Sequence, residues 1–229
     1  MAVKLYSAKI CPFAQRSRMA LLEKGLDFEL IEVDLDNKSA EFLAVSPYGR
    51  VPALIDGDDQ VYESSVINEY LEEVYPEPRL MPAEPALRAQ VRLWTDYCNT
   101  TFLPHYYELL TEQDEAKAAV LKAGLDEKYR FMETEGFTRL SGEGPYWLGA
   151  EVSLLDLIYY PFFDRLVVWK HYRGVTIPDD CPRLVRWHGA MAERASAKAT
   201  AESDAYFIEQ YASYANAAAT AWSPAADSD

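Results

Sequence analysis

Four of the ten residues from Pro76 to Pro85 are prolines, and this run constrains the fold more than any other feature of the sequence. Proline fixes φ and lacks a backbone N–H, so no helix or strand continues through such a run. We therefore predict that two domains meet here, the first over residues 1–75 and the second over 86–222, joined by a proline-rich linker over 76–85.

Short strand and helix patterns alternate before the linker. Runs rich in β-branched and aromatic residues predict strands over 3–6, 28–33, 51–55 and 61–62. Apolar residues at helical spacing predict helices over 14–24, over 39–45 with Ser39 as N-cap, and after Ser64 as N-cap. The first domain is therefore predicted to follow the order β-α-β-α-β-β-α. In its last helix we expect one apolar face and one acidic face, formed respectively by Val66, Ile67, Tyr70, Leu71 and Val74, and by Glu69, Glu72 and Glu73.

Beyond the linker the apolar residues recur only at helical spacing, which predicts an all-α second domain. The helices are expected over 87–110, 115–140, 154–169, 182–194 and 201–214. The fold class is thus α/β followed by all-α. Residues 223–229 contain Pro, Asp and Ser with little apolar content, and we predict that they form a frayed tail.

The charge balance argues against nucleic-acid and membrane partners. The chain holds 22 Lys and Arg against 37 Asp and Glu, for a net charge of −15. Such a surface repels phosphate backbones and anionic lipids, although a local basic pocket remains compatible with it. The sequence shows neither a signal peptide nor an apolar run of about 18 residues that could span a bilayer. The three widely spaced cysteines do not suggest a disulfide framework, and we predict a cytoplasmic protein.

Cys11 is the residue with the most informative position, because it lies in the loop between the first predicted strand and the start of the first predicted helix. The unpaired N–H groups and positive dipole of a helix N-terminus favour a thiolate, which lowers a cysteine pKa from about 8.5 to about 3.5–7.5. Pro12 suits the first helical position, and Arg16 and Arg18 add positive charge. Cys11 is therefore a candidate nucleophile, although free cysteine is also commonly a small buried apolar residue.

Val51 and Pro52 mark a second candidate position, since a proline opens the third predicted strand. A proline there is compatible with a strand edge or with a cis bond in a tight turn. Free N–H and C=O groups on Val51 would let an extended peptide pair with the edge. A simple strand start explains the same pattern.

Glu63, Ser64 and Lys38 are candidate charged contacts for a ligand. A helix N-terminus with a hydroxyl beside it binds carboxylates, and Glu63 offers a carboxylate for an ammonium group, so the pair suits an amino-acid zwitterion. Helix capping by Ser64 is the alternative. Lys38 lies among Asp34, Asp36 and Glu41 and would otherwise be a solvated ion-pair partner.

Several other functions lack their motifs in this sequence. The histidines His105, His171 and His188 lie far apart and have no partners at metal-ligand spacing, so no metal site is predicted. There is no glycine-rich phosphate loop, no nucleophile-elbow serine and no basic aromatic stripe.

Aromatic residues crowd two of the predicted helices of the second domain. Core packing is the expected role of such residues at helical spacing, with a pocket for a second substrate as the alternative. The cluster comprises Phe102, Tyr106, Tyr107, Tyr159, Tyr160, Phe162 and Phe163, from which Tyr106 is our candidate pocket residue. Cys98, on the first of these helices, is expected to be buried.

These motifs, taken in order, resemble the glutathione transferase superfamily, and in particular its cysteine-type, omega-like branch. The resemblance covers residues 3–82 in order and spacing, and it rests on CPFAQR at 11–16, NK at 37–38, SPYGRVPAL at 46–54, YESS at 62–65 and EYL at 69–71. It extends more loosely over the second half through Ser153-Leu154-Leu155-Asp156, which is similar to the N-capping box that the family places before a buried helix.

The resemblance implies a glutathione transferase fold, in which a thioredoxin-like N-terminal domain precedes an all-helical domain. It also implies a cis proline at Pro52, with glutathione bound along the adjacent edge. Val51 would pair its backbone with the cysteinyl unit, and Phe13 would line the pocket near the sulfur. Glu63 and Ser64 would hold the γ-glutamyl end.

Lys38 would meet the glycyl carboxylate in this arrangement. Glutathione is then the co-substrate, with no metal, and a homodimer is implied.

A cysteine at the catalytic position favours redox chemistry over conjugation. We expect thiolate Cys11 to attack a glutathionyl disulfide, or another oxidised substrate such as dehydroascorbate with the help of glutathione. A Cys11–glutathione disulfide forms, and a second glutathione resolves it. Ala14 stands where a second cysteine would allow an internal disulfide, so the mechanism is expected to be monothiol.

Two alternatives share these motifs. The segments around Pro47–Gly49, Tyr62–Ser64 and Glu77–Pro82 also resemble the bacterial stringent starvation proteins, which bind RNA polymerase and are not catalytic. Cys11 together with Lys38 argues against that reading, because a non-catalytic relative has no need of a thiol at the helix start. The other alternative is conventional conjugation of glutathione to electrophiles.

Overall fold

The architecture is taken from a computed structural model, which describes residues 3–216. The tail predicted over 223–229 lies outside the described residues. Seven elements precede the proline-rich segment, and their order is the predicted one: β1 Val3–Ser7, α1 Pro12–Glu23, β2 Phe28–Glu32, α2 Ala40–Val45, β3 Ala53–Asp56, β4 Asp59–Tyr62 and α3 Ser64–Val74.

The four strands form one mixed sheet in the order β2-β1-β3-β4. β1 runs parallel to β2 with Leu5 opposite Leu30, as expected where a helix connects two strands. β3 is antiparallel to β1 and to β4, and Ala53 is its first residue paired with either neighbour. This thioredoxin-like sheet confirms the predicted class of the first domain, and it brings three strand-end loops to the same region.

α3 departs from its prediction in two ways. Ser64 is the first residue of the helix and Glu63 occupies the N-cap position, so Ser64 is not the cap. The buried face contains Ile67 and Leu71, but it also contains Glu72, which was expected on the acidic face. Glu72 is buried because Lys24, from the end of α1, reaches it at 2.6 Å.

The regular elements of the second part of the described chain are helices, as predicted, apart from an isolated β-bridge between Tyr146 and Gly149. Its elements are α4 Pro85–Tyr97, α5 Leu103–Thr111, α6 Glu115–Phe131, α7 Thr138–Leu140, α8 Leu154–Asp164, α9 Leu166–Arg173, α10 Pro182–Ala192, α11 Ala195–Thr200 and α12 Asp204–Asn216. Three of the five predicted helices are interrupted. A π-helical turn at Cys98–Phe102 separates α4 from α5, because Pro104 in the first turn of α5 has no N–H for an α-helical bond.

The other two breaks have their own local form. A second π-helical turn, Met132–Phe137, separates α6 from α7. Between α8 and α9 the helix stops at Arg165, whose φ of −95° and ψ of 8° are not helical.

A large aromatic core fills the helical part, and Asp156 organises one side of it. The carboxylate accepts hydrogen bonds from the Ser153 N–H at 2.7 Å and from the backbone N–H of Trp147 at 2.9 Å. It also accepts from Nε1 of Trp187 at 2.8 Å. The N-capping box at Ser153 and Asp156 is therefore present, and its acid also fixes two tryptophans of the core.

α1 joins the two parts of the chain, since it packs against α3 on one side and against α8 and α11 on the other. The Arg16 guanidinium donates to the main-chain oxygen of Ile158 in α8 at 2.8 Å. Gln15 donates to Asp164 at 3.0 Å. The start of α1, where Cys11 lies, is thus held by both parts of the fold.

Candidate active site

Cys11 is the N-cap of α1. Its backbone is extended, with φ −78° and ψ 115°, and its sulfur accepts a hydrogen bond from the Ala14 N–H at 3.4 Å. Pro12 follows at the first helical position, as predicted. The thiol is half-buried and lies 3.7 Å from the main-chain oxygen of Val51. The sulfur is therefore at the junction of the β1–α1 loop and the turn that leads into β3.

The expected lowering of the Cys11 pKa is wrong. Burial raises the pKa of the Cys11 thiol above its ordinary value. The Ala14 N–H, the positive charge of Arg165, the Phe13 N–H and the charge of Arg18 all act in the opposite direction, but they do not cancel the burial. The helix N-terminus favours the thiolate as anticipated, and desolvation of the sulfur outweighs it.

The Val51–Pro52 peptide bond is cis, as the family resemblance implied. Val51 is buried, and strand pairing begins only at Ala53, so Val51 lies just beyond the hydrogen-bonded ladder of β3. Ser46 supports this turn, because its hydroxyl donates to the Arg50 oxygen at 2.7 Å and accepts from the Arg50 N–H at 3.0 Å.

Glu63 has the only positive φ among the described residues other than glycine, at 68°. A side chain in this region of backbone space costs energy, and such residues cluster at functional sites. The conformation turns the chain from β4 directly into α3. It brings the Glu63 carboxylate and the Ser64 hydroxyl to the same cavity as Cys11.

Lys38 lies in the connection between β2 and α2 and is exposed to solvent. Two of its expected acidic partners are engaged elsewhere: the Asp34 carboxylate accepts from the Asp36 and Asn37 N–H groups, and Glu41 accepts from the Tyr6 hydroxyl at 3.0 Å. The Lys38 side chain lines the same cavity as Cys11.

One cavity of about 470 Å³ collects nearly all of the predicted site residues. Those that line it are Cys11, Phe13, Lys38, Val51, Pro52, Glu63 and Ser64. The structure therefore brings together residues that are up to 53 positions apart in the sequence, from Cys11 to Ser64. A volume of this size accommodates a small peptide.

Tyr106 is not among these residues, and its assignment to the second-substrate pocket is wrong. It is buried in the helical core, stacked on Trp169 with ring centroids 3.8 Å apart. Its hydroxyl donates to the Phe162 oxygen at 2.8 Å, and burial raises its pKa well above the ordinary value. The expected core packing is confirmed for the whole aromatic cluster, all of which is buried.

The cavity also contains residues that the sequence reasoning missed: Arg16, Leu35, Ser46, Tyr48, Gly49, Arg50, Tyr62, Ser65, Asn99 and Leu103. Most of them lie within or beside the motifs that carried the resemblance, so their closeness to those motifs could have identified them as site residues. Asn99 and Leu103 come from the helical part, and no sequence pattern distinguished them. Asn99 accepts a hydrogen bond from the buried Arg16 guanidinium at 3.1 Å.

The cavity is locally cationic in an acidic protein. Among its described lining residues Arg16, Lys38 and Arg50 are positive, whereas Glu63 alone is negative. The net charge of the whole chain is −15. The site therefore favours a ligand that carries carboxylates together with one ammonium group near Glu63.

Two further properties concern residues 3–216. No three His, Cys, Asp or Glu side chains within that range are arranged to hold a metal ion. None of the helices in the range is both long enough and apolar enough to cross a membrane.

Comparison with known proteins matches both parts of the chain to family models. Residues 5–79 match "Glutathione S-transferase, N-terminal domain", and residues 114–190 match "Glutathione S-transferase, C-terminal domain". Glutathione S-transferase omega-1 of Sus scrofa is 30% identical over 190 residues, covering 82% of this chain and 76% of that protein.

Two solved structures are similar over nearly the whole chain. Glutathione transferase Omega 3C from Trametes versicolor is 31% identical with a TM-score of 0.83, covering 93% of this chain and 90% of that one. Rice GST1 in complex with glutathione is 26% identical with a TM-score of 0.82, covering 92% of this chain and 95% of that one.

Proposed function

Because the chain belongs to the glutathione S-transferase superfamily, in its omega-like branch, we propose that it catalyses glutathione-dependent thiol transfer with Cys11 as the nucleophile. The observation that carries this proposal is the position of the Cys11 sulfur, in one cavity with Val51, Glu63, Ser64 and Lys38. The similarity to rice GST1, whose structure contains glutathione, supports glutathione as the co-substrate.

Glutathione would lie along the edge beside Val51 and Pro52, where the strand ladder has ended. The Val51 backbone would pair with the cysteinyl unit, which places the two sulfurs next to each other, because the Cys11 thiol is 3.7 Å from the Val51 oxygen. Phe13, whose ring packs edge-on against Phe162, would form the wall near the sulfurs.

The γ-glutamyl end would be held at the start of α3. Its carboxylate would meet the Ser64 hydroxyl and the N-terminal N–H groups of the helix, and its ammonium group would meet the Glu63 carboxylate. Arg16 donates to the Ser64 hydroxyl at 3.3 Å, which leaves that hydroxyl's own proton free to point at the ligand.

The glycyl carboxylate would meet Lys38. This contact is separable from the others by ligand chemistry, because an ester of the glycyl carboxyl removes the negative charge and leaves the rest of glutathione intact. Lys38→Met should weaken binding of glutathione about fivefold or more and leave binding of the glycyl ester nearly unchanged. Lys4→Met, which removes an exposed lysine remote from the cavity, is the matched control, and titration calorimetry gives both affinities.

The reaction proceeds by two thiol–disulfide exchanges. The Cys11 thiolate attacks the glutathionyl sulfur of a mixed disulfide, so the Cys11–glutathione bond forms and the substrate leaves as a thiolate that takes up a proton. The thiolate of a second glutathione then attacks the glutathionyl sulfur of that intermediate. Oxidised glutathione leaves, made of this second glutathione and the glutathionyl group that came from the substrate, and Cys11 returns as the thiolate, so each turnover consumes one reduced glutathione.

Ala14, one turn after Cys11, cannot supply a resolving thiol. The other two cysteines of the chain, Cys98 and Cys181, are buried, and burial raises their pKa values to about 12 and about 11. The intermediate would therefore wait for an external thiol, and the mechanism is monothiol. The second substrate is a small or protein-bound disulfide, or an oxidised compound of the dehydroascorbate type.

Two measurements test the proposal. Cys11→Ser should abolish thiol transfer while glutathione still binds, whereas Cys181→Ala should retain both. Incubation with oxidised glutathione should add one glutathionyl group to Cys11 by intact mass, and excess reduced glutathione should remove it. Full thiol transfer by Cys11→Ser would rule out Cys11 as the nucleophile and favour conventional conjugation. Absence of both glutathione binding and the adduct would favour a binding protein of the stringent starvation type.

We also propose a homodimer in the cytoplasm. Val66 on α3 and Leu93 on α4 are both more than half exposed on neighbouring helices, and a second copy of the chain would cover them. Sedimentation of the native chain should give twice the monomer mass, and Leu93→Glu should shift it towards monomer.

A further inference from the structure

The loop that precedes Cys11 is held by an arginine of the helical part. Arg165, at the break between α8 and α9, donates from Nη2 to the main-chain oxygens of Lys9 at 3.3 Å and Ile10 at 3.1 Å. Its Nε atom donates to the Ile10 oxygen as well, at 3.3 Å. A single side chain thus fixes the two peptide groups immediately before the nucleophile.

A second arginine, Arg18 of α1, holds the start of the same loop at Ser7 and Ala8. Arg18 of α1 donates to the Ser7 hydroxyl at 3.0 Å and to the Ala8 oxygen at 3.2 Å. The two guanidinium groups together account for the main-chain oxygens of three consecutive residues, Ala8, Lys9 and Ile10. Main-chain oxygens held in this way leave the loop little freedom to move.

The Arg165 side chain is itself rigidly placed. It is 1% exposed, donates to the Pro161 oxygen at 2.8 Å and to the side-chain oxygen of Gln15, and stacks 4.3 Å from the Phe207 ring centroid. Its five donors therefore have fixed acceptors on both parts of the chain.

Gln15 completes the connection one turn beyond Cys11. Its amide nitrogen donates to Asp164 at 3.0 Å and to the Thr200 hydroxyl at 3.2 Å. The helical part therefore contacts the chain on both sides of the nucleophile, through Arg165 before it and through Gln15 after it. Neither residue lines the cavity, so neither is needed to contact glutathione.

Charged groups of both signs surround this loop. Arg165 has the Asp164 carboxyl at 3.7 Å as a counter-charge, and burial raises the pKa of that carboxyl. Glu32 of β2 and Glu202, before α12, act on Arg18 from the outer side of the loop. Arg165 and Arg18 both lower the pKa of the Cys11 thiol against the effect of burial.

We propose that Arg165 is a positioning residue for Cys11, which it presents to the glutathione site by clamping the Lys9–Ile10 main chain from the helical part. Its positive charge also favours the thiolate. The inference rests on the proposed function, since it concerns how the nucleophile of that reaction is held. It implies that the part of the chain before the proline-rich segment cannot position Cys11 by itself, because Arg165 lies between α8 and α9 in the helical part.

The test uses two substitutions that separate charge from position. Arg165→Met removes both, so we expect the midpoint of Cys11 alkylation by iodoacetamide, followed against pH, to rise by about half a unit or more. Turnover in thiol transfer should fall about tenfold or more. Arg165→Lys keeps the charge but cannot span two main-chain oxygens and Gln15, so its midpoint should stay near that of the native protein while turnover still falls. Peptide-resolved mass spectrometry assigns the alkylation to Cys11.

Arg194→Met is the matched control. Arg194 also joins the helical part to α1, through an ion pair with Glu23 at 2.5 Å, but at the opposite end of the helix from Cys11. Its loss should lower stability to urea without moving the alkylation midpoint. An equal shift in Arg194→Met would mean that general loosening of the domain contact causes the effect, and this would overturn the proposal.

The remaining outcomes are also decisive. A folded Arg165→Met variant with native alkylation midpoint and native turnover overturns the proposal. If Arg165→Met does not fold, Arg165→Lys decides, because lower turnover at unchanged glutathione affinity supports the clamp and native turnover rejects it. The alkylation readout does not depend on enzyme activity. Failure of Cys11→Ser to lose thiol transfer would therefore reject the proposed function while leaving the effect of Arg165 on Cys11 measurable.

Discussion

The Cys11 thiol lies 3.7 Å from the main-chain oxygen of Val51, the residue that precedes the cis proline. This pair joins the N-terminus of the first helix to the turn that leads into the third strand. This short distance has two effects. It places the sulfur beside the edge proposed for glutathione, and it removes the sulfur from bulk water. The second effect has a measurable consequence for reactivity.

Cys11 should react slowly at neutral pH in the free protein. Burial raises the pKa of its thiol, and only the thiolate attacks, so the reactive fraction grows as the pH rises through that raised pKa. We expect the rate of alkylation by iodoacetamide to increase with a midpoint above the ordinary thiol value of about 8.5. Cys11→Ser supplies the background rate. A midpoint near 6 would show that the helix N-terminus outweighs burial after all.

Glu63 should be under backbone strain that glycine relieves. Its φ of 68° is unfavourable for any residue with a Cβ atom, so Glu63→Gly should unfold with a free energy about 1 kcal/mol higher than that of Glu63→Ala. Both substitutions remove the carboxylate and should weaken glutathione binding. Urea denaturation gives the two stabilities and calorimetry the affinities. Equal stabilities would show that the conformation costs nothing at this position.

The element order and most of the candidate site followed from the sequence because both depend on local patterns. Strand and helix periodicities set the order β-α-β-α-β-β-α. Cys11, Val51 and Glu63 each lie where a strand meets a loop or turn, and one sheet gathers those positions into a single cavity.

Features that depend on distant residues were not predictable in the same way. The local argument for a low Cys11 pKa had no access to the atoms that bury the sulfur. Arg165 meets the Ile10 oxygen across 155 sequence positions, and no motif announces that contact. Helical spacing placed Tyr106 on the apolar face of its helix. It did not show whether that face packs into the core or lines the cleft.

Tyr106 should matter for stability and not for catalysis. Its buried hydroxyl donates to the Phe162 oxygen at 2.8 Å, and Tyr106→Phe leaves that oxygen without this donor. The free energy of unfolding should fall by about 1 kcal/mol, while turnover and the KM of the second substrate stay unchanged. Urea denaturation and steady-state kinetics measure the two effects. A change in KM without loss of stability would return Tyr106 to the substrate pocket.

Breaking the buried pair Lys24–Glu72 should cost far more stability than breaking an exposed pair on the same helix. Lys24 lies 2.6 Å from Glu72, and it also donates to the main-chain oxygens of Tyr75 at 2.7 Å and Pro78 at 3.0 Å. Lys24→Met would leave the buried Glu72 carboxylate without its counter-charge, with the Leu80 N–H at 3.0 Å as a remaining donor, and would remove the donor to two main-chain oxygens. We expect a loss of about 3–5 kcal/mol in the free energy of unfolding.

The exposed pair Arg92–Glu69 provides the comparison, because it also joins α3 to its neighbour, at 2.7 Å, but with both side chains in solvent. Arg92→Met should cost less than about 1 kcal/mol. The double variant Lys24→Met, Glu72→Leu removes both buried charges and should recover part of the loss, which urea denaturation of all four proteins would show. If Lys24→Met cost no more than Arg92→Met, the pair would not be what holds the proline-rich segment against α1.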